Sequence, residues 1–179
     1  FGFDKERVVE VEGASDLGPS QATFVDRVRR LPGVTAASAG DGLFGGSNGT
    51  AFWPADSTET AAKVLRYFKV GPRFVETMDI DVAEGRSFDP ARPADSSAVI
   101  LNRAAVEAYG LDDPTTAQLT EGEATFDVIG VVGNFHFQSM RQEVEPAALF
   151  LGDPRGSTLP GSVYARLSPG VPSGPLDEI

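Results

Sequence analysis

Thr125-Phe126-Asp127-Val128-Ile129-Gly130-Val131-Val132-Gly133-Asn134-Phe135-His136-Phe137 is the strongest strand signal in the chain. β-Branched and aromatic residues dominate it, the composition of strands that pack on a core. Gly130 and Gly133 interrupt the run, which predicts a bulge or a hairpin bend. Just upstream, residues 98–101 read as a buried strand. Asn102 is a good N-cap for a helix through Tyr109, and Gly110 closes that helix from the position after its last residue. Downstream, 147–151 and 162–167 are further strands.

The amino-terminal part carries its own pattern. Val8-Val9-Glu10-Val11-Glu12 alternates as a strand does, and 13–18 is a turn region. Residues 20–30 predict an amphipathic helix, with Phe24, Val28 and Leu31 spaced at i, i+4 and i+7. Pro32-Gly33 stops it, and 34–39 reads as a second strand, so the opening is β-α-β. The Gly-, Ser- and Asn-rich stretch 40–50 predicts a loop. Strands follow at 51–53 and 63–70, the latter with Val64, Arg66, Phe68 and Val70 on one face. Gly71-Pro72 opens a short helix that turns Phe74, Val75 and Met78 inward. A short strand at 80–84 and surface loops at 89–96 and 112–123 complete the reading.

Composition sets limits on function. The 179 residues are 41% hydrophobic and 23% charged, the profile of a folded domain or of two small lobes on one chain. With 15 basic and 26 acidic residues the formal net charge is −11, which repels a phosphate backbone and excludes nucleic acid as the expected partner. The only lysines are Lys5, Lys63 and Lys69. An acidic, lysine-poor surface suits a saline habitat, and a GC-rich genome produces the same arginine bias; both readings stay open. The absence of cysteine removes disulfides, thiolate catalysis and zinc-thiolate sites. No apolar run approaches the roughly 20 residues of a membrane helix.

Candidate chemical motifs are weak. Gly40-Asp41-Gly42-Leu43-Phe44-Gly45 matches a dinucleotide-binding glycine pattern, but a helix must begin there to hold the pyrophosphate, and Gly46-Ser47-Asn48-Gly49-Thr50 does not start one. The only histidine, His136, lies in an aromatic strand with no nucleophile elbow and no second ligand at metal spacing. Asp79/Asp81 and Asp112/Asp113 lack calcium-loop spacing. No catalytic, cofactor-binding or metal-binding residue is therefore assigned. Phe44, Phe52 and Trp53, beside the glycine-rich stretch, are the candidate partner contacts; they form an exposed tip or pack beneath the loop.

Several segments, taken in order, resemble one family. Tyr67-Phe68-Lys69-Val70-Gly71-Pro72-Arg73-Phe74-Val75-Glu76-Thr77-Met78 leads into Glu84-Gly85-Arg86-Ser87-Phe88. Val99-Ile100-Leu101-Asn102-Arg103-Ala104-Ala105 follows. Val128-Ile129-Gly130-Val131-Val132-Gly133-Asn134-Phe135-His136-Phe137-Gln138-Ser139-Met140 then precedes Glu145-Pro146, and Leu31-Pro32-Gly33-Val34 lies upstream. Together they resemble the periplasmic core domain of MacB/FtsX-type ABC transporter permeases. The family's "D-P-I-G-K" is replaced here by Asp113-Pro114-Thr115-Thr116-Ala117.

The resemblance implies an α+β fold of two lobes: an α/β (β-α-β) lobe formed by both chain ends, about 1–50 and 125–179, and an inserted β-rich lobe of about 51–124. It implies a piece of a multi-pass membrane protein on the extracytoplasmic, periplasmic side of the bacterial cell membrane, with the flanking transmembrane helices outside the sequence. The implied partners are an ABC ATPase subunit or domain, a second permease copy and a periplasmic adaptor or substrate protein. The implied role is non-catalytic: relaying ATP-driven movement across the membrane. The alternative is a module that senses or binds a peptide, antibiotic or lipoprotein, which an apolar groove between the lobes would favour. A stand-alone hydrolase would need a pocket built on His136 or on a close carboxylate pair. The isolated chain is expected to be a monomer, because its net charge opposes self-approach at low salt. It is also expected to turn over neither ATP, esters nor glycosides. An activity in pure protein that His136→Ala abolishes would overturn the non-catalytic reading.

Overall fold

The computed structural model describes residues 7–41, 48–135, 144–152 and 159–171. Its strands are β1 (Val8–Glu12), β2 (Val34–Gly40), β3 (Asn48–Pro54), β4 (Lys63–Val70), β5 (Val82–Gly85), β6 (Ala98–Asn102), β7 (Gln118–Glu121), β8 (Ala124–Val132), β9 (Ala147–Leu151) and β10 (Ser162–Leu167). The helices are α1 (Gln21–Val28), α2 (Phe74–Met78) and α3 (Arg103–Tyr109).

The opening β-α-β forms as its pattern predicts. β10 lies antiparallel between β1 and β2, so the two strands of the unit are parallel neighbours once removed. The apolar stripe of α1 covers one face of this small sheet, where Val28 is buried against Ala37 of β2 and Ala165 of β10. Gln21, buried at the start of α1, donates to the carbonyls of Ala14 (3.0 Å) and Pro160 (2.7 Å), which ties the helix to the approach of β10.

The remaining strands close on themselves. Neighbours run β4-β3-β7-β8-β6-β9, and β9 returns to β4 in parallel, from Arg66↔Ala147 to Val70↔Leu151. The result is a small barrel whose interior is filled by side chains, as barrels of this size require. Alternate residues of each strand supply the filling. Phe52, Leu65, Leu119, Phe126 and Phe150 belong to one buried cluster, with Ala105 of α3 packed at its end. Phe150 stacks on Phe52 (5.5 Å, 19°) and meets Phe126 edge-on (4.9 Å, 77°), the offset and T-shaped arrangements that aromatic quadrupoles favour. The side chain of Asn102 caps α3 by accepting from Ala105 N–H (2.9 Å), and Gly110 ends it in the left-handed conformation (φ 65). These caps match the local signals. The hydroxyl of Tyr109 lies 2.9 Å from the carbonyl of Phe52 and 3.1 Å from that of Lys63, holding α3 across the barrel end.

The structure departs from the sequence reading at several places. The strands from 125 onward do not return to the amino-terminal lobe as a block. β8 and β9 pair with β6, β7 and β4, because Phe126, Val128 and Phe150 complete the barrel interior. Only β10 joins β1 and β2. The expected loop at 112–123 contains β7, whose single deeply buried residue, Leu119, is too little alternation to register as a strand; a two-residue turn at Gly122-Glu123 pairs it with β8. Part of the expected 40–50 loop is also strand, since β2 runs to Gly40 and β3 begins at Asn48; residues 42–47 lie outside the described residues. α2 starts at Phe74 and not at Pro72, because Arg73 is left-handed (φ 66) and cannot lie within the helix. In β4, Val64 is exposed, while Phe68 and Val70 do share a buried face.

The bulge in β8 is present. Val99 pairs with Val128 and Ile100 with Gly130, leaving Ile129 as the extra residue. A side chain at Gly130 would run into the carbonyl of Arg86, which is why glycine stands there. Gly133 lies beyond the end of β8 and makes no hairpin.

The Arg86 segment is held by a buried carboxylate. Asp95 is 1% exposed and accepts a bidentate pair from Arg86 (2.6 and 2.7 Å) and a bond from Asp89 N–H (2.8 Å). The hydrogen bond from Arg86 holds its pKa below the ordinary value of 3.8. A carboxylate whose pKa is lowered by folding contributes stability above its unfolded pKa and loses it as pH falls toward the folded value. Asp95→Asn should therefore lower stability at pH 7 and flatten the loss below about pH 4. Denaturant melts across pH test this, and identical acid limbs in the two proteins would count against it.

Candidate functional site

The two strand sets meet at one point. β2 and β4 form a single antiparallel bridge, Gly40↔Val70, with Asp41 N–H donating to Lys69 O and Gly71 N–H to Ala39 O, both at 2.8 Å. Asp41 reinforces the bridge by accepting from Lys69 N–H (3.0 Å), and the Lys69 ammonium lies 3.5 Å from its other oxygen. Tyr164 of β10 places its hydroxyl 2.8 Å from Glu10 Oε1 and 3.1 Å from the carbonyl of Asp41.

α2 fills the angle beneath this bridge. Its Phe74 ring meets Tyr164 edge-on (5.8 Å, 80°) and lies against Gly40, where any Cβ would collide with the ring. Arg166 of β10 donates from Nε to the carbonyl of Thr77 (2.7 Å). One buried cluster joins Phe68, Val70, Ile100 and Leu149 of the barrel's outer face with Phe74 and Met78 of α2 and Tyr164 of β10. The β-α-β unit and the barrel therefore share a core built around α2.

Beside the bridge lies a groove of about 540 Å³, within the range of ligand-binding clefts. α1 gives one wall with Ala22 and Val25, β2 gives the floor with Ala37, and the opposite wall carries Pro72, Arg73 and Leu159. The lining is mostly apolar. Of its charged residues, Asp26 and Arg29 pair with each other at 3.0 Å, while Arg73 is exposed and has no ion pair among the described residues. Toward the barrel, β2 is bridged only at Gly40, so Val34–Ser38 meets no strand on that edge among the described residues. That edge is covered beside the bridge: Ser38 Oγ donates to the carbonyl of Pro72 (2.8 Å), and Ala37 is 0% exposed.

Of the candidate contacts read from sequence, Phe52 and Trp53 point to opposite sides of β3. Phe52 is 1% exposed inside the barrel, stacked on Phe150, so its ring is packing and not surface. Trp53 is half-buried, on the opposite side of β3, in register with Thr120. Phe44 and His136 lie outside the described residues. The pairs Asp79/Asp81 and Asp112/Asp113 are exposed, and no group of three His, Asp or Glu side chains converges at metal-binding distance among the described residues. No helix there is long and apolar enough to cross a membrane. The groove residues escaped the sequence reading. The signal they carried was the small-residue run Ala36-Ala37-Ser38-Ala39-Gly40.

This architecture, a β-α-β lobe spliced through α2 to a closed barrel, defines an α+β protein of the MacB periplasmic-domain fold. No protein-family model matches the chain, and no characterised protein matches it by sequence. Solved structures do match. The periplasmic region of MacB from Actinobacillus actinomycetemcomitans superimposes with a TM-score of 0.66 at 13% identity, over 96% of this chain and 79% of that one. The extracellular domain of the noncanonic ABC-type transporter YknZ from Gram-positive bacteria gives 0.59 at 13% identity, over 83% and 73%. A domain described as belonging to a permease protein from Porphyromonas gingivalis gives 0.61 at 15% identity, over 95% and 79%.

The junction makes a direct prediction. Gly40→Val should cost about 1–3 kcal/mol through overpacking against Phe74, measured by urea denaturation. Gly40→Val combined with Phe74→Leu should recover part of that loss, and a Gly40→Val protein as stable as the parent would refute the wedge.

Proposed function

We propose that the chain is the non-catalytic extracytoplasmic domain of an ABC transporter permease, relaying ATP-driven movement to a substrate or partner protein. The observation that carries the reading is the fold, held in common with the MacB and YknZ domains over most of each chain. The junction supports it further. A shared core around Phe74, a single backbone bridge and the Asp41–Lys69 pair form a stiff connection, as a mechanical element requires. Its partners in this reading are an ABC ATPase subunit or domain, a second permease copy and a periplasmic adaptor or substrate protein.

A second reading, a module that binds a peptide, antibiotic or lipoprotein, is favoured by the apolar groove, which lies where the two lobes meet. Binding and relay are compatible, since a groove walled by both lobes changes shape when they move.

The test uses the full-length permease with its ATPase in proteoliposomes. Gly40→Val and Asp41→Ala, which loosen the junction, should lower transport severalfold while leaving ATP hydrolysis intact. Unchanged transport from a domain whose junction is demonstrably weakened would overturn the relay.

A further inference from the structure

We propose that the groove between α1 and Arg73 binds a free, single-chain anionic amphiphile of the fatty-acid type, its alkyl chain along α1 and its carboxylate on the Arg73 guanidinium. This rests on the binding reading above, narrows it to a ligand class and does not depend on the relay.

The hydrogen-bonding state of the lining decides the class of occupant. A peptide or a sugar brings N–H, O–H and C=O groups that need partners once buried. The groove has few to give. Pro19, Pro72, Pro90 and Pro160 belong to its walls and carry no N–H. The N–H of Gly71 is committed to Ala39 O and that of Gly152 to Val70 O, both at 2.8 Å. The Gln21 amide donates to the carbonyls of Ala14 and Pro160, and Ser38 Oγ donates to that of Pro72. Ala37, on the floor, is buried. An alkyl chain asks for no hydrogen bond and gains by leaving water along its whole length.

The groove also has the form such a chain needs. Ala22, Val25 and Arg29 lie on one stripe of α1 and its C-cap, which runs about 10 Å at the helical rise. Ala22 leaves width beside the helix, while Val25 and Leu159 supply branched apolar walls. Leu159 is 40% exposed, apolar surface that a ligand would take out of water.

Charge fixes the headgroup. Asp26 and Arg29 neutralise each other at 3.0 Å. Arg73 is the other charged residue of the lining, exposed and without an ion pair among the described residues. A guanidinium beside an apolar slot complements a carboxylate. The net charge of −11 works the other way, favouring a cationic amphiphile at long range. Screening over roughly 8 Å at physiological salt weakens that long-range bias. A preference for the anion therefore reports the local contact with Arg73.

The experiment is amide NMR on the 179-residue chain, with decanoate and decylammonium below their micelle concentrations. Decanoate should shift the amides of Ala22, Val25 and Arg73. Decylammonium should bind about tenfold more weakly, because it replaces an ion pair with a like-charge contact. Arg73→Glu should reverse the preference toward decylammonium. Ala22→Trp, at an exposed helix position, should fill the groove and abolish binding of both while leaving the rest of the spectrum intact.

Decylammonium binding as tightly as decanoate to the parent chain would overturn the proposal. So would decanoate binding that Ala22→Trp leaves unchanged. Decanol and a short capped valine-threonine peptide serve as controls. Groove shifts with either control and none with decanoate would overturn the fatty-acid assignment while the broader binding reading stood. No shift with any of these probes would overturn both.

Discussion

The contact between the Phe74 ring and Gly40 is the constraint on which the rest of the arrangement depends. A single backbone bridge between β2 and β4 is a weak joint on its own, because a net hydrogen bond contributes only about 1 kcal/mol. Burial of an aromatic ring beneath it adds several times that. The ring can reach the joint only because Gly40 carries no side chain. With Phe74 in place, Tyr164 and Arg166 of β10 and Phe68 and Val70 of β4 all contact one short helix or the core around it. α2 is therefore less an element of either lobe than the part that makes them one body.

Barrel closure follows from a different pressure. A sheet edge exposes unpaired N–H and C=O groups, and returning β9 to β4 in parallel removes two such edges at once. The closed interior is aromatic, with Phe52, Phe126 and Phe150 in mutual contact. The amino-terminal lobe has no comparable closure. Its strand β2 meets the barrel only at Gly40, and Gly71-Pro72 covers the edge beside that bridge.

The buried charges are structural in their surroundings. Asp95 is saturated by Arg86 and a backbone N–H, and Asp41 by the backbone and ammonium of Lys69. Each carboxylate fixes a loop or a joint. Arg73 differs, being charged, exposed and set by a strained backbone beside an apolar cleft.

Whatever depended on neighbours in sequence was legible in the sequence. Asn102 and Gly110 bracket α3 because capping is a matter of three or four residues, and the apolar stripe of α1 reports its buried face for the same reason. The β-α-β opening and the bulge near Gly130 were readable, as was the order of motifs that marks the fold. Features settled by long-range pairing were not. β7 is a strand because β8 and β3 lie against it, not because its own residues alternate strongly. For Phe52, beside a glycine-rich stretch, exposed tip and buried packing both stayed open, and barrel closure placed it at the centre of a core. The allotment of β8 and β9 to the barrel required knowing which side chains would complete its interior. The groove is drawn from residues as far apart as Ala22, Ala37, Arg73 and Leu159. Sequence alone determined most of the helices, caps and strands, since those rest on local stereochemistry and periodicity, and the order of its motifs carried the resemblance that implied the fold class. Tertiary structure decided which faces were buried, where the strands divided and where a groove opens, since those rest on contacts between residues that the chain brings together only by folding.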